Sequence, residues 1–267
     1  MNYSRWVSAL LGAPLMILIL ALGNVYVIDI AFSIIAAISL HEYFKSFKGK
    51  ASPIIWIGYV VSALIAFIHV IPIEKMIQIL GVILPTTILI MFIQVIISNN
   101  KTTIKDISIT IFGIFYIAVF LMFIPLIRGN ENGKLLIWYV FFAAWMTDTF
   151  AYLIGIKFGK HKFSQISPKK SIEGCIAGII GSTMIVLIYT YVCNTYWGLH
   201  MSYVYITIVA IILSIIGQIG DLAASSIKRY VEIKDYSNLI PGHGGMLDRI
   251  DSLMFIAPFA YMLLSLF

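Results

Sequence analysis

Residues 225–251 read SSIKRYVEIKDYSNLIPGHGGMLDRID, a polar segment set between long apolar runs. It holds four of the twelve Asp and Glu and four of the eighteen Lys and Arg, in a chain whose charged fraction is only 11%. Most membrane proteins join two spans with a short neutral or basic connection, so charge of both signs gathered here points to chemistry. The flanking runs decide the fold class. Over 267 residues the hydrophobic fraction is 61% and the mean hydropathy is +0.98. That is too apolar for a soluble globule, and the expected class is all-α, a polytopic integral membrane protein.

Outward from that segment, apolar stretches near the roughly 20 residues needed to cross a bilayer fall at 6–23, 26–44, 53–72, 76–97, 107–127, 134–156, 173–194, 203–228 and 247–267. These predict about nine transmembrane helices. They divide into an N-terminal group of five over 1–130 and a catalytic group of four over 131–267, with cytoplasmic loops at 157–172 and 229–246. Val7–Gly23, flanked by Arg5, has the outline of a signal peptide, but another span follows almost at once and no small-residue cleavage site is evident, so it reads as a retained helix. Cys175 and Cys193 share one apolar segment, which indicates neither a disulfide framework nor a thiolate metal site and leaves both as packing residues. No internal repeat is visible.

Basic loops are retained in the cytoplasm. With nine spans, the N-terminus and every second loop share one side and carry fifteen of the eighteen cations, leaving Lys75, Arg128 and Lys134 opposite. The N-terminus and the 225–251 segment are therefore expected in the cytosol, with the C-terminus outside and a polar cavity opening to the cytoplasmic side of a bacterial cytoplasmic membrane. The +6 net charge becomes a one-sided field suited to anionic headgroups and nucleotide phosphates. Nucleic acid is a poor partner, since no basic soluble domain exists to hold it.

Carboxylates at hydrocarbon depth need a partner, an ion or water. Asp148 lies in FFAAWMTDTFAYLIGIKFGK, Asp221 in IIGQIGDLAASSIKR, and Asp248 and Asp251 open the last helix in GMLDRIDSLM. At ~1.5 Å per residue, Asp148 sits about 20 Å and Asp221 about 27 Å from the outer face of a ~30 Å core. All four acids are thus expected to meet beneath the cytoplasmic surface. Such hard oxygen ligands suit Mg²⁺, which shares its shell with substrate phosphates. The plainer alternatives are that Asp248 and Asp251 complement a helix dipole and that Asp148 and Asp221 form buried ion pairs with Lys or Arg. Gly155, Gly159, Gly217 and Gly220 flank the acids and permit close helix approach. In PGHGG, residues 241–245, the glycines precede a helix start and can offer amides to an anion, with His243 bonding a phosphate, acting as a general acid or stabilising the turn. Lys169 and Lys170 follow Ser167 and Pro168 in the preceding loop, where positive-inside charge alone is an adequate account. His41 and Glu42, ending the second helix, read as interfacial, as do Asp29 and His69.

The run from Ser225 to Asp251, S-S-I-K-R, four residues, then K-D-Y-S-N-L-I-P-G-H-G-G-M-L-D-R-I-D, resembles the signature of the phosphatidate cytidylyltransferases, also called CDP-diacylglycerol synthases. WMTDTFAYLIGIKFGK at 145–160 and SPKKSIEG at 167–174 are similar to the family too, with Ser171 where a threonine is more usual and the hydroxyl retained. The resemblance covers about residues 145–251. It implies that CTP and phosphatidic acid form CDP-diacylglycerol and pyrophosphate, with Mg²⁺ and, as an open question, a second cation such as K⁺. It implies catalytic positions at Asp221, Lys228, Arg229, Lys234, Asp235, His243, Asp248 and Arg249. Substrate contacts are implied at Asp148, Tyr152, Lys169, Lys170, Ser225, Pro241, Gly242, Gly244 and Gly245, and metal ligands at Asp221, Asp248 and Asp251.

The phosphate of phosphatidic acid is already ionised, so the expected mechanism is alignment and charge neutralisation without a strong base or a covalent enzyme intermediate. CTP, phosphatidic acid and membrane lipids are the expected partners, and a homodimer is left open. A related CTP-dependent enzyme, an ether-lipid cytidylyltransferase or polyprenol kinase, is the alternative. An ion transporter using the same acids is a third reading, disfavoured by the surrounding cations and by the lack of a repeated half.

Overall fold

A computed structural model describes residues 3–99, 101–242 and 244–266. Among them the chain is helical throughout, with two isolated bridges, Lys162 with Ser171 and Ile240 with Gly244, in place of any sheet. The α-helices are α1 (Tyr3–Leu22), α2 (Val25–Ser46), α3 (Ile55–Ile65), α4 (Ile73–Ile97), α5 (Ile104–Gly113), α6 (Phe123–Gly129), α7 (Gly133–Phe158), α8 (Ile172–Trp197), α9 (Tyr203–Tyr230) and α10 (Leu247–Leu264), with a π-helical stretch at Ile114–Val119. Five helical segments are long and apolar enough to cross a membrane: Val25–Ser46, Ile104–Gly129, Gly133–Phe158, Ile172–Trp197 and Tyr203–Tyr230. The protein is an integral membrane protein. The apolar run at 53–72 is helical only over Ile55–Ile65, about 16 Å at ~1.5 Å per residue, before a series of turns takes over.

The chain forms two compact units, one of Met1–Pro125 with Asp235–Asp248, the other of Leu126–Lys234 with Arg249–Phe267. In the first, α2 packs on α3, α5 and the π-helical stretch. Glycines allow the approach: a Cβ at Gly58 would lie 2.6 Å from the Phe44 ring, and one at Gly113 would lie 2.5 Å from the Tyr43 ring. The buried face of α2 carries Phe32, Leu40, Tyr43 and Phe44, while Ile54, Ile57, Met91, Ile107 and Ile114 form a neighbouring apolar cluster. Asp106 closes a capping box at the start of α5 and also accepts from the Ser52 amide at 2.6 Å, which fixes the α2–α3 connection to α5.

In the second unit α7, α8 and α9 pack together, α8 against both neighbours. Side-chain register shows α7 and α8 antiparallel: the Tyr189 hydroxyl donates to the Leu135 carbonyl at one end, and Gly174 faces Ala151 and Gly155 at the other. Gly174 and Gly178 supply the closest approach, since a Cβ at Gly178 would sit 2.8 Å from the Thr147 carbonyl oxygen. Helices in lipid gain from such small-residue faces because backbone contact replaces the missing hydrophobic drive. Helix α10 lies antiparallel to α9, with Gly220 beside the Asp251 carbonyl and the Tyr205 hydroxyl donating to the Leu263 carbonyl. Cys175 and Cys193 are free and buried, as packing residues should be.

Candidate active site

The second unit gathers acids from three helices. Thr147 bonds Ser214 through their hydroxyls at 2.7 Å, which fixes α7 on α9 one residue before Asp148. Asp148 is exposed, and its Oδ2 accepts from the Ser252 hydroxyl at 3.2 Å. The preceding residue on α10, Asp251, is buried and accepts from the Ser252 amide at 2.8 Å. One serine therefore ties two carboxylates from different helices. Asp221 of α9 lies within electrostatic reach of both Asp148 and Asp251. Of the four acids expected to meet, Asp148, Asp221 and Asp251 lie within electrostatic reach of one another in this unit, whereas Asp248 belongs to the first unit.

Cations answer them. Lys170 reaches from the 159–171 loop to form an ion pair with Asp221 Oδ2 at 2.7 Å, and its Nζ also donates to the Gln218 carbonyl at 3.4 Å. Gln218 in turn donates to the Cys175 carbonyl at 3.2 Å. Lys170 and Arg249 act electrostatically on Asp148, and Lys228 acts on Asp251. The loop that presents Lys170 is itself held: Glu173 accepts from the amides of Lys160 and His161 and pairs with the His161 ring at 2.6 Å, while Ser171 caps α8 through the Gly174 amide. The ion-pair reading weighed for Asp221 is therefore realised, with Lys170 as its partner. Lys169, Arg229, Lys234 and Arg249 are exposed, Ser225 and Lys228 partly so, and Tyr152 has 68% of its surface open.

The first unit holds the other part of the polar segment. Asp248 is buried, and its Oδ2 accepts from the amides of Tyr236 at 2.8 Å and Gly245 at 2.9 Å. It closes the 236–245 loop on itself, a local role more specific than dipole complementation. Gly242 and Gly244 have φ of +77° and +85°, a left-handed geometry that favours glycine. A Cβ at Gly244 would stand 3.0 Å from Asp248 Oδ2 and 3.5 Å from the Cβ of Asp235. Pro241 and Asp235 are exposed. His243 lies outside the described residues. The Gly245 amide, expected to face a phosphate, is instead bound to Asp248, so Gly242 and Gly244 remain as the loop's anion donors to be considered.

The sequence reading missed Glu42. It is 3% exposed, not interfacial. Its carboxylate accepts from the Ser237 hydroxyl at 2.5 Å, the Met246 amide at 3.0 Å and the Leu247 amide at 2.8 Å. Asp29 is likewise fully buried and pairs with His69 at 2.8 Å. The available signal was that these are the only acids in the first 73 residues and both fall within an apolar run, where an unpaired carboxylate is costly.

Among the described residues no group of three His, Cys, Asp or Glu side chains is placed to enclose a metal ion. The donors present are hard carboxylate oxygens, a set that fits an ion completing its shell with substrate phosphates and water, as Mg²⁺ does, and not one caged by protein alone.

Compared with known proteins, residues 3–267 match the cytidylyltransferase family. The chain belongs to that family. Curated relatives include a phosphatidate cytidylyltransferase of Staphylococcus epidermidis, 33% identical over 97% of this chain and 98% of the relative. One of Staphylococcus haemolyticus is 32% identical over the same shares. One of Bacillus subtilis is 35% identical over 67% of this chain and 66% of the relative. The match extends across the first five apolar runs, well beyond the 145–251 region that carried the resemblance. The chain is accordingly a membrane-embedded nucleotidyltransferase.

Proposed function

We propose that this enzyme transfers the cytidylyl group of CTP to phosphatidic acid, giving CDP-diacylglycerol and pyrophosphate. The observation that carries the reading is the convergence of Asp148, Asp221 and Asp251 from three helices with Lys170 and Lys228 around them, in a chain of the cytidylyltransferase family. A cluster of both signs suits a metal–triphosphate complex; a permeation path favours one sign.

In the reaction an ionised phosphate oxygen of phosphatidic acid attacks the α-phosphorus of CTP. A new P–O bond forms, the bond to the β-phosphate oxygen breaks, and pyrophosphate leaves with that electron pair. Mg²⁺ bound with CTP would supply charge neutralisation of the triphosphate and alignment of its α-phosphorus. Asp221 and Asp251 are the residues that would hold it, while Asp248, expected as a further ligand, is engaged by the amides of Tyr236 and Gly245. Lys228 and Arg229 in the last turn of α9, with Lys234 four residues beyond the helix, balance the departing pyrophosphate. Lys170 restrains Asp221, and the amides of Gly242 and Gly244 hold triphosphate oxygens. No side chain becomes covalently modified.

The topology that goes with this reading has nine spans, a cytoplasmic N-terminus and a polar cavity reached by CTP from the cytosol and by the lipid from the leaflet. Purified protein in detergent, given phosphatidic acid, Mg²⁺ and CTP labelled at either the α- or the γ-phosphate, tests the proposed reaction by lipid chromatography. Label from the α-position alone in the lipid product is the expected result. Label from the γ-position would instead establish a CTP-dependent lipid kinase.

A further inference from the structure

The N-terminus of a helix offers amides and a partial positive charge, and a protein that handles phosphates commonly directs them there. Helix α10 starts differently. Its first amide, Leu247, and the amide of Met246 just before it donate to the two oxygens of Glu42, a residue of α2 about 200 positions earlier in the chain. The same carboxylate takes the Ser237 hydroxyl, which also accepts from the Leu239 amide at 3.1 Å. Gly245 is glycine because of this contact: a Cβ there would lie 2.5 Å from Glu42 Oε2 and 2.8 Å from Oε1. Asp248 fastens the other end of the loop through Tyr236 and Gly245. The loop is therefore pinned by two buried carboxylates, one from each side.

We infer that Glu42 is a positioning residue for the reaction: it is the built-in anion of the α10 N-terminus, and by occupying those amides it fixes the 236–247 loop in shape before any nucleotide arrives. It touches no substrate. A triphosphate held by this loop meets Gly242 and Gly244, because the donors at 245–247 are already taken. This inference rests on the cytidylyltransferase reading for its link to CTP, whereas its structural part does not.

The test uses the full chain in detergent. Hydrogen exchange of the 236–247 segment is followed without substrate in the wild type, Glu42→Ala, Glu42→Gln and Ser237→Ala. Loss of the carboxylate is expected to speed exchange at Met246 and Leu247 at least about tenfold, the size of a lost charge-assisted hydrogen bond. Glu42→Gln, which keeps one acceptor oxygen, should fall between. In turnover, KM for CTP is expected to rise about fivefold or more while KM for phosphatidic acid stays within about twofold, and Glu42→Gln should restore part of it. If Glu42→Ala does not fold, Ser237→Ala carries the same measurements with smaller expected effects. Unchanged exchange in a folded variant, or equal losses for both substrates, overturns the inference. Failure of wild-type protein to make a CDP-lipid overturns the functional reading instead and leaves the exchange result standing.

Discussion

The pair between Lys170 and Asp221 allows the sharpest test of the acid cluster. The contact is 2.7 Å, with the two side chains 15% and 31% exposed, so it is neither a solvated surface bridge nor a sealed one. Exposed pairs contribute up to about 1 kcal/mol, and breaking a fully buried pair by removing one partner costs about 3–5 kcal/mol. An intermediate value of about 2 kcal/mol is expected for Lys170→Met, because Asp221 would then face Asp148 and Asp251 without its closest cation. For a chain of this size that lowers the thermal midpoint by about 4–8 °C. Asp221→Asn should be milder, since the amide oxygen still accepts from Lys170. The double variant, Lys170→Met with Asp221→Asn, removes both charges and should recover most of the lost midpoint while remaining inactive. The assay is thermal unfolding of the detergent-solubilised full chain, paired with incorporation of α-labelled CTP into lipid. A double variant no more stable than Lys170→Met, or a Lys170→Met protein with an unshifted midpoint, refutes the assignment of this pair as the main compensation of the cluster.

Two other outcomes follow from the same unit. Gly178→Val puts a Cβ against the Thr147 carbonyl, which in glycine's absence of a side chain leaves only 2.8 Å for it; forcing α7 from α8 should cost about 1–3 kcal/mol and depress turnover through the neighbouring Asp148, both read by melting and activity on one preparation. Replacing Cys175 and Cys193 together by Ala should leave gel mobility insensitive to reductant as in the wild type and activity within about twofold, because both thiols are free and buried and Cys-to-Ala mainly removes packing volume.

The apolar runs were legible because length and hydropathy answer to the bilayer alone. Five of the nine runs coincide with helices long and apolar enough to cross a membrane, whereas 53–72 forms helix only over Ile55–Ile65, because hydropathy does not register where turns interrupt a hydrophobic run. The approach of Asp148 to Asp221 was legible from depth, since 1.5 Å per residue sets height within a span. What depth could not give was the partner. Lys170 looks like any loop lysine until the hairpin between α7 and α8, fastened by Glu173 and Ser171, brings it to Asp221. The partners of Glu42 were out of reach for the same reason, because its three donors belong to a loop separated from it by about 200 residues.

A loop that handles a triphosphate while surrendering its best-placed amides to an internal carboxylate looks wasteful until the alternative is considered. Were Met246 and Leu247 unpaired, one half-buried and one buried donor would lack partners in the absence of nucleotide, at about 1–3 kcal/mol for the buried one, and a loop with glycines at 242, 244 and 245 would have many conformations to lose on binding. Ordering that loop at the moment of binding would weaken affinity for CTP by the same entropy. Glu42 and Asp248 meet that cost during folding. The consequence is a loop already shaped, whose remaining contribution is geometry, so that compensation of the triphosphate charge falls to Lys and Arg side chains and to the ion that travels with the nucleotide.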